Sequence, residues 1–96
     1  MNVGVLKISL RIASNTSLKE KRQVVKSIIS QVKNRFNVSV AEVGDNDKWQ
    51  LATMGICCIS NDKKHTNDVL SKVELLISSR RFDVEVIEAR TEIISL

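Results

Sequence analysis

The first part of the chain alternates between apolar and polar positions. The apolar positions share one face of an extended segment: Leu6, Ile8, Leu10 and Ile12. The polar positions share the other face: Lys7, Ser9 and Arg11. A period of two predicts a half-buried strand over residues 3–13. Residues 13–16 are polar or small, and we predict that they form a turn after this strand.

The spacing becomes helical after this turn. Ser17, followed three residues later by Glu20, matches a capping box, in which the serine hydroxyl accepts a hydrogen bond from an early backbone N–H. Apolar residues then recur with a 3.6-residue period, which predicts a helix that ends near Arg35. They form one stripe: Leu18, Val25, Ile28, Ile29, Val32 and Phe36.

The rest of the chain predicts three further strands and a second helix. Residues 37–43 and 49–59 flank a turn sequence and form a predicted hairpin. Ser60, Asn61 or Asp62 can cap a helix over about 62–79. Residues 82–94 predict a last strand, in which the apolar positions change parity. That change indicates a bulge or two differently buried halves.

The predicted order over residues 1–96 is β-α-β-β-α-β, a single domain. Right-handed crossovers place both helices on one face of a four-stranded antiparallel sheet. This is the α+β, ferredoxin-like two-layer sandwich, with the first and third strands in the centre. A chain of 96 residues holds one such core and not two.

The predicted third strand is apolar on both faces, and no charge occurs between Lys48 and Asp62. One face of such a strand is polar when the sheet is open to water. A second copy of the chain over that face explains the pattern, so we expect a homodimer or larger oligomer with Trp49, Leu51 and Met54 at the contact. The alternative is that scattered apolar groups face water, as on many surfaces.

Charge is distributed unevenly along the chain. Residues 1–36 hold eight Lys/Arg and one acid, a net charge of +7. Residues 37–96 hold seven Lys/Arg and ten acids, a net charge of −3. A one-sided field of this kind favours a polyanionic partner or association with the acidic half of another copy.

The first helix carries most of this positive charge. At about 100° per residue, four cations fall within about 60° on one flank of the apolar stripe. They are Lys19, Arg22, Lys26 and Lys33. Lys21 and Arg35 fall on the other flank, and no acid follows Glu20 in the helix. The pattern predicts contacts to RNA phosphates, which position a protein without reading sequence. The alternatives are a solvated face or pairing with acids of another subunit.

Several segments carry a family resemblance. The runs SLKEKR at 17–22 and RFNVSVAEV at 35–43, the Trp49–Gln50 pair and the turn at 60–62 resemble the YlxP-like family of small bacterial proteins. The resemblance implies a ferredoxin-like fold, a cytoplasmic location and genes that often lie among those for translation initiation and ribosome maturation. It implies no catalytic or ligand-binding residues.

No catalytic constellation emerges from the residues. The adjacent Cys57 and Cys58 lack the spacer of a metal or redox pair, and we interpret them as small hydrophobes of a reducing compartment. His65 is expected to be solvated. The hairpin acids are typical of a turn rather than of a metal site. They are Glu42, Asp45 and Asp47. Acylphosphatases share the topology but use a glycine-rich loop with an arginine, and residues 13–16 contain neither.

The sequence therefore predicts a non-enzymatic cytoplasmic module, without cofactor or metal, that binds RNA or a ribosomal subunit through its first helix. No signal-peptide pattern and no apolar stretch of ~20 residues occurs, so no membrane partner is expected. The alternative is a homo-oligomeric protein-interaction or small-ligand-binding module.

Overall fold

A computed structural model of the chain describes residues 1–12 and 17–96. Its elements follow the predicted order: β1 (Asn2–Arg11), α1 (Leu18–Arg35), β2 (Ser39–Gly44), β3 (Leu51–Ser60), α2 (Lys63–Ser78) and β4 (Glu85–Ser95). The type and order of the predicted elements are confirmed, and their ends differ only by a few residues. The predicted turn at residues 13–16, and with it the loop compared with acylphosphatases, lies outside the described residues.

The four strands form one antiparallel sheet in the order β2-β3-β1-β4. This is the expected ferredoxin-like arrangement, with β1 and β3 in the centre. The register between β1 and β4 shifts by one residue, because Ser9 lies opposite Glu88 whereas Leu10 lies opposite Val86. Ile87 therefore has no partner on β1, which confirms the bulge predicted in the last strand.

Both helices pack on the same face of the sheet. The fully buried side chains on that face come from the strands and the helices: Leu6, Ile8, Leu10, Met54, Ile28, Val32, Val73 and Ile77. Gly4 lets α2 lie directly on β1, since a Cβ at this position would come within 2.4 Å of the Thr66 methyl group. The opposite face of the sheet carries no helix in the part of the chain that the structure describes.

Side-chain caps fix where the helices begin. The Ser17 hydroxyl accepts a hydrogen bond of 3.1 Å from the Glu20 N–H, as the capping box predicts. The Asp62 carboxylate accepts from the backbone N–H groups of Lys64 and His65, so Asp62 is the cap among the three candidates. Each of these bonds satisfies backbone donors that the first turn of a helix otherwise leaves unpaired.

The two helices lie over different strands. The helix α1 packs against β2 and α2, whereas α2 packs against β1, β3 and β4. On the side of α1 nearest α2, the side-chain oxygen Oε1 of Gln31 accepts a 3.1 Å hydrogen bond from Arg81, a residue of the loop that connects α2 to β4. The other side of α1 therefore projects past the edge strand β2. Neither helix is long and apolar enough to cross a membrane.

Candidate nucleic-acid interface

The structure brings together the four cations predicted on one flank of α1. We call them the basic flank: Lys19, Arg22, Lys26 and Lys33. All four side chains are exposed, and they follow the helix axis for about 21 Å at 1.5 Å per residue. They lie on the side of α1 opposite Gln31 and its contact with Arg81. The basic flank therefore points away from α2.

The basic flank has no carboxylate partner within residues 1–12 and 17–96. The ion pairs in this range are Arg11–Glu85, Lys21–Glu42 and Lys48–Asp45. Arg22 and Lys26 lie four residues apart, a spacing at which like charges destabilise a helix by about 0.2–0.5 kcal/mol. No ion pair among the described residues therefore neutralises the positive charge along this side of α1.

Lys21 departs from the other cations of α1. We predicted it on the flank of the apolar stripe opposite the basic flank, but its side chain is only 1% exposed and lies between α1 and β2. Its Nζ is 2.9 Å from Glu42 Oε2 and donates to the Asp45 carbonyl oxygen. A buried ammonium group is stable only with such partners. Lys21 therefore stabilises the fold and contributes nothing to the exposed positive surface.

The hairpin acids take part in internal contacts. Asp45 adopts a φ of 60°, a left-handed conformation that aspartate tolerates better than most residues. Its carboxylate accepts a 2.9 Å hydrogen bond from the Thr53 hydroxyl and lies 3.3 Å from Lys48 Nζ. The Thr53 hydrogen bond, with a further contribution from Lys48, lowers the pKa of Asp45 below its ordinary value of 3.8. Asp47 is exposed.

The face of the sheet opposite the helices has an apolar end. Val3 lies opposite both Ile59 and Ile94, and in the next row Val5 lies between Cys57 on β3 and Glu92 on β4. Ile59 is 65% exposed and Ile94 is 43% exposed. We call this cluster the apolar end: Val3, Val5, Cys57, Ile59 and Ile94. The valines at positions 3 and 5 were the sequence signal for it, since they precede the polar Lys7 on the same face of β1.

The predicted oligomer contact does not coincide with this cluster. Met54 is fully buried in the helix-covered core, so it is not available to a partner on the open face. Leu51 and Met54 have opposite parity in β3, so alternation places them on opposite faces, and only one of the two can face a partner. Leu51 does lie on the open face, opposite Arg11 at the far end of β1. Trp49 precedes β3 and is 46% exposed.

The remaining sequence candidates lie apart from one another. His65 is exposed in the first turn of α2. Cys58 is buried on the helix-covered face, where burial raises the pKa of its thiol. Cys57 is half-buried on the open face. The described residues place no nucleophile beside a base at these positions.

Comparison with known proteins identifies a family. Residues 3–91 match the family described as "Protein of unknown function (DUF503)". A relative, the "Uncharacterized protein YlxP" of Bacillus subtilis (strain 168), is 44% identical over 63 residues, which cover 66% of this chain and 68% of the relative.

Solved structures also resemble the fold. The de novo designed protein Foldit4 has a TM-score of 0.56 and 20% identity, over 96% of this chain and 97% of the designed one. LarC2, the C-terminal domain of a cyclometallase, has a TM-score of 0.45 and 16% identity, over 98% of this chain and 56% of LarC2. The likeness to the designed protein concerns the fold alone.

Proposed function

The chain belongs to the DUF503 family, whose description states no function, and we propose that it is a non-enzymatic module that binds structured RNA through the basic flank. The observation that carries this proposal is the separation of charges on α1. Four exposed cations form no ion pair with a carboxylate of the described residues, whereas Lys21 on the same helix is buried and paired with Glu42. The natural setting of this activity is ribosome maturation or translation initiation in the cytoplasm, the context that the YlxP-like resemblance implies.

The mode of binding is electrostatic positioning. Lysine and arginine side chains that neutralise phosphates release condensed counterions, which supplies affinity with little dependence on base sequence. An RNA-recognition motif instead stacks bases on aromatic side chains of the central strands. Neither β1 nor β3 contains an aromatic residue. The chemistry of the surface therefore favours the helix over the sheet as the RNA-binding element.

Binding to ribosomal subunits tests the proposal. The full chain is titrated against isolated small and large subunits and against a structured ribosomal RNA fragment, from about 50 to 200 mM salt. If all four cations contact phosphates, the logarithm of the binding constant falls against the logarithm of the salt concentration with a slope of about −3. Absence of binding at the lowest salt, or binding that does not respond to salt, contradicts the proposal.

A second candidate function is self-association through the apolar end. An apolar patch is complementary to its own copy, as an isologous dimer contact requires. Ile59→Asp should then convert a dimer into a monomer in sedimentation at micromolar concentration. Leu75→Asp is the matched control, because Leu75 is 70% exposed on α2 and lies outside the sheet. A wild-type chain that sediments as a monomer excludes this candidate.

A further inference from the structure

We propose that the open face of the sheet carries a second binding site, which takes the phosphate monoester of a small polyhydroxylated molecule. The site is a cleft of about 520 Å³ over the half of this face away from the apolar end. This volume lies within the range of about 300–1,000 Å³ that is typical of small-molecule sites. The sheet lies between the cleft and the basic flank on α1, so the proposal stands independently of RNA binding.

The anchor of the site is a pair of facing cations. Lys7 on β1 lies directly opposite Arg90 on β4, and both side chains are exposed. Like charges at directly opposed positions destabilise a sheet. Four residues further along β1, Arg11 lies opposite Glu85 and forms an ion pair of 3.8 Å. The described residues provide no such partner for Lys7 or Arg90, and a phosphate between them would relieve the repulsion.

The floor of the cleft is polar and held in place. Thr53 is 6% exposed, and its hydroxyl donates to the Asp45 carboxylate. Because Thr53 donates its hydroxyl hydrogen to Asp45, Ser9 is the donor in the 3.5 Å contact between the Ser9 and Thr53 hydroxyls. A ligand oxygen that approaches Ser9 can replace this long contact as the acceptor. Gly44 borders this floor, and a Cβ there would come within 3.3 Å of Thr53. The contact of Lys21 with the Asp45 carbonyl fixes the loop that forms this edge.

Carboxylates in the same cleft favour a phosphate ligand that also carries hydroxyl groups. Glu88 lies opposite Ser9, and Asp45 borders the other side. These groups repel a free phosphate ion, but they accept hydrogen bonds from hydroxyl groups. A molecule with a phosphate at one end and hydroxyls at the other, such as a sugar phosphate, satisfies both sets of side chains.

The test compares three probes at constant ionic strength. Ribose 5-phosphate, inorganic phosphate and ribose are titrated into the ¹⁵N-labelled full chain, and amide shifts are followed. Ribose 5-phosphate should give saturable shifts around Lys7, Ser9, Thr53 and Arg90, with about tenfold higher affinity than inorganic phosphate. Ribose alone should give no saturable shift. Absence of saturation with ribose 5-phosphate, or shifts centred on α1, overturns the proposal.

Two variants identify the groups that bind. Lys7→Gln with Arg90→Gln should weaken ribose 5-phosphate binding about tenfold or more, without loss of thermal stability, because a repulsive pair is removed. Lys63→Gln with Lys64→Gln is the control of equal charge change on α2, and it should leave the affinity unchanged. Glu88→Gln should reduce the preference for ribose 5-phosphate over inorganic phosphate. If both double variants weakened ribose 5-phosphate binding equally, the ligand would be held by non-specific electrostatic attraction, and the proposed site would be wrong.

Discussion

The two helices of this protein pack into the core in the same way, but they differ in the charge of their exposed surfaces. Both are capped by a side chain and bury an apolar stripe against one sheet. Yet α1 carries six Lys/Arg and one acid, whereas α2 carries three Lys and two acids. On α2, Asp68 lies four residues from both Lys64 and Lys72, the alternation of a solvated helix. The apolar stripe and the cap are common to both helices, so we expect the cations of the basic flank to contribute little to folding.

The largest effect is expected at Lys21, the cation of α1 that belongs to the fold. Lys21→Ala leaves Glu42 without its partner and removes a buried side chain, which should cost about 3 kcal/mol of unfolding free energy. Urea denaturation measures this loss. Arg22→Gln, one residue further along, should change stability by less than about 0.5 kcal/mol, because Arg22 is exposed.

The paired variant Lys21→Met with Glu42→Gln separates charge from packing. It fills the same space without a buried charge, and it should recover most of the lost stability. RNA affinity of the folded Lys21 variants should stay within about twofold of the wild type, since Lys21 is not on the surface. If Lys21→Ala caused a large loss of RNA affinity and Arg22→Gln caused none, the assignment of Lys21 to the fold and of Arg22 to the RNA-binding surface would be wrong.

A smaller effect is expected at the caps, where the two helices should behave alike. Ser17→Ala and Asp62→Ala each remove an oxygen that accepts from the first turn, and each should cost about 1 kcal/mol. Chemical denaturation of the two variants gives the comparison. If the cost at Ser17 were several times that at Asp62, the charges of α1 would also be affecting its stability.

The smallest effect concerns the loop that holds Lys21. The pKa of Asp45 is lowered in the folded chain, mainly by the Thr53 hydrogen bond. Its stabilising contribution is therefore present above the ordinary value of 3.8 and is lost as the pH falls through the lower folded value. As the pH falls below about 4, amide protection, corrected for the intrinsic exchange rate, should decrease in β2 and in the loop that follows it at a higher pH than in α2.

Asp45→Asn is the control for this pH dependence. The variant has no carboxylate at position 45, so the slope of thermal stability against pH just below 4 should be shallower than in the wild type. An unchanged slope would assign the acid dependence to other carboxylates.

Sequence patterns predicted the local structure better than the contacts between elements. The alternation in β1, the capping box at Ser17 and the change of parity in β4 all depend on neighbouring residues, and all are confirmed. Lys21 was assigned to a flank of the apolar stripe, although at 100° per residue it falls between Ile28 and Val32, inside the stripe. Its burial could therefore have been predicted, whereas its partner Glu42, twenty-one positions away on another element, could not. Met54 was assigned to the same contact as Leu51, although alternation places these two residues on opposite faces of β3.

The two candidate sites also differ in how far the sequence could predict them. The basic flank could be predicted because its four residues share one helix, and helix geometry fixes their relative directions. The cleft on the open face combines Lys7, Ser9, Thr53 and Arg90 from three strands. Their proximity depends on the order and register of the sheet, and the β1–β4 register includes a bulge. No local pattern in the sequence contains that information.

The most direct measurement compares two triple variants that remove the same charge from the two helices. Arg22→Gln, Lys26→Gln and Lys33→Gln change α1, and Lys63→Gln, Lys64→Gln and Lys72→Gln change α2. The salt dependence of binding to one structured ribosomal RNA fragment is measured for each. The slope should become shallower by about two units for the α1 variant, which retains Lys19, and stay at the wild-type value for the α2 variant. Equal changes in both, or a change in the α2 variant alone, would contradict RNA binding by the basic flank.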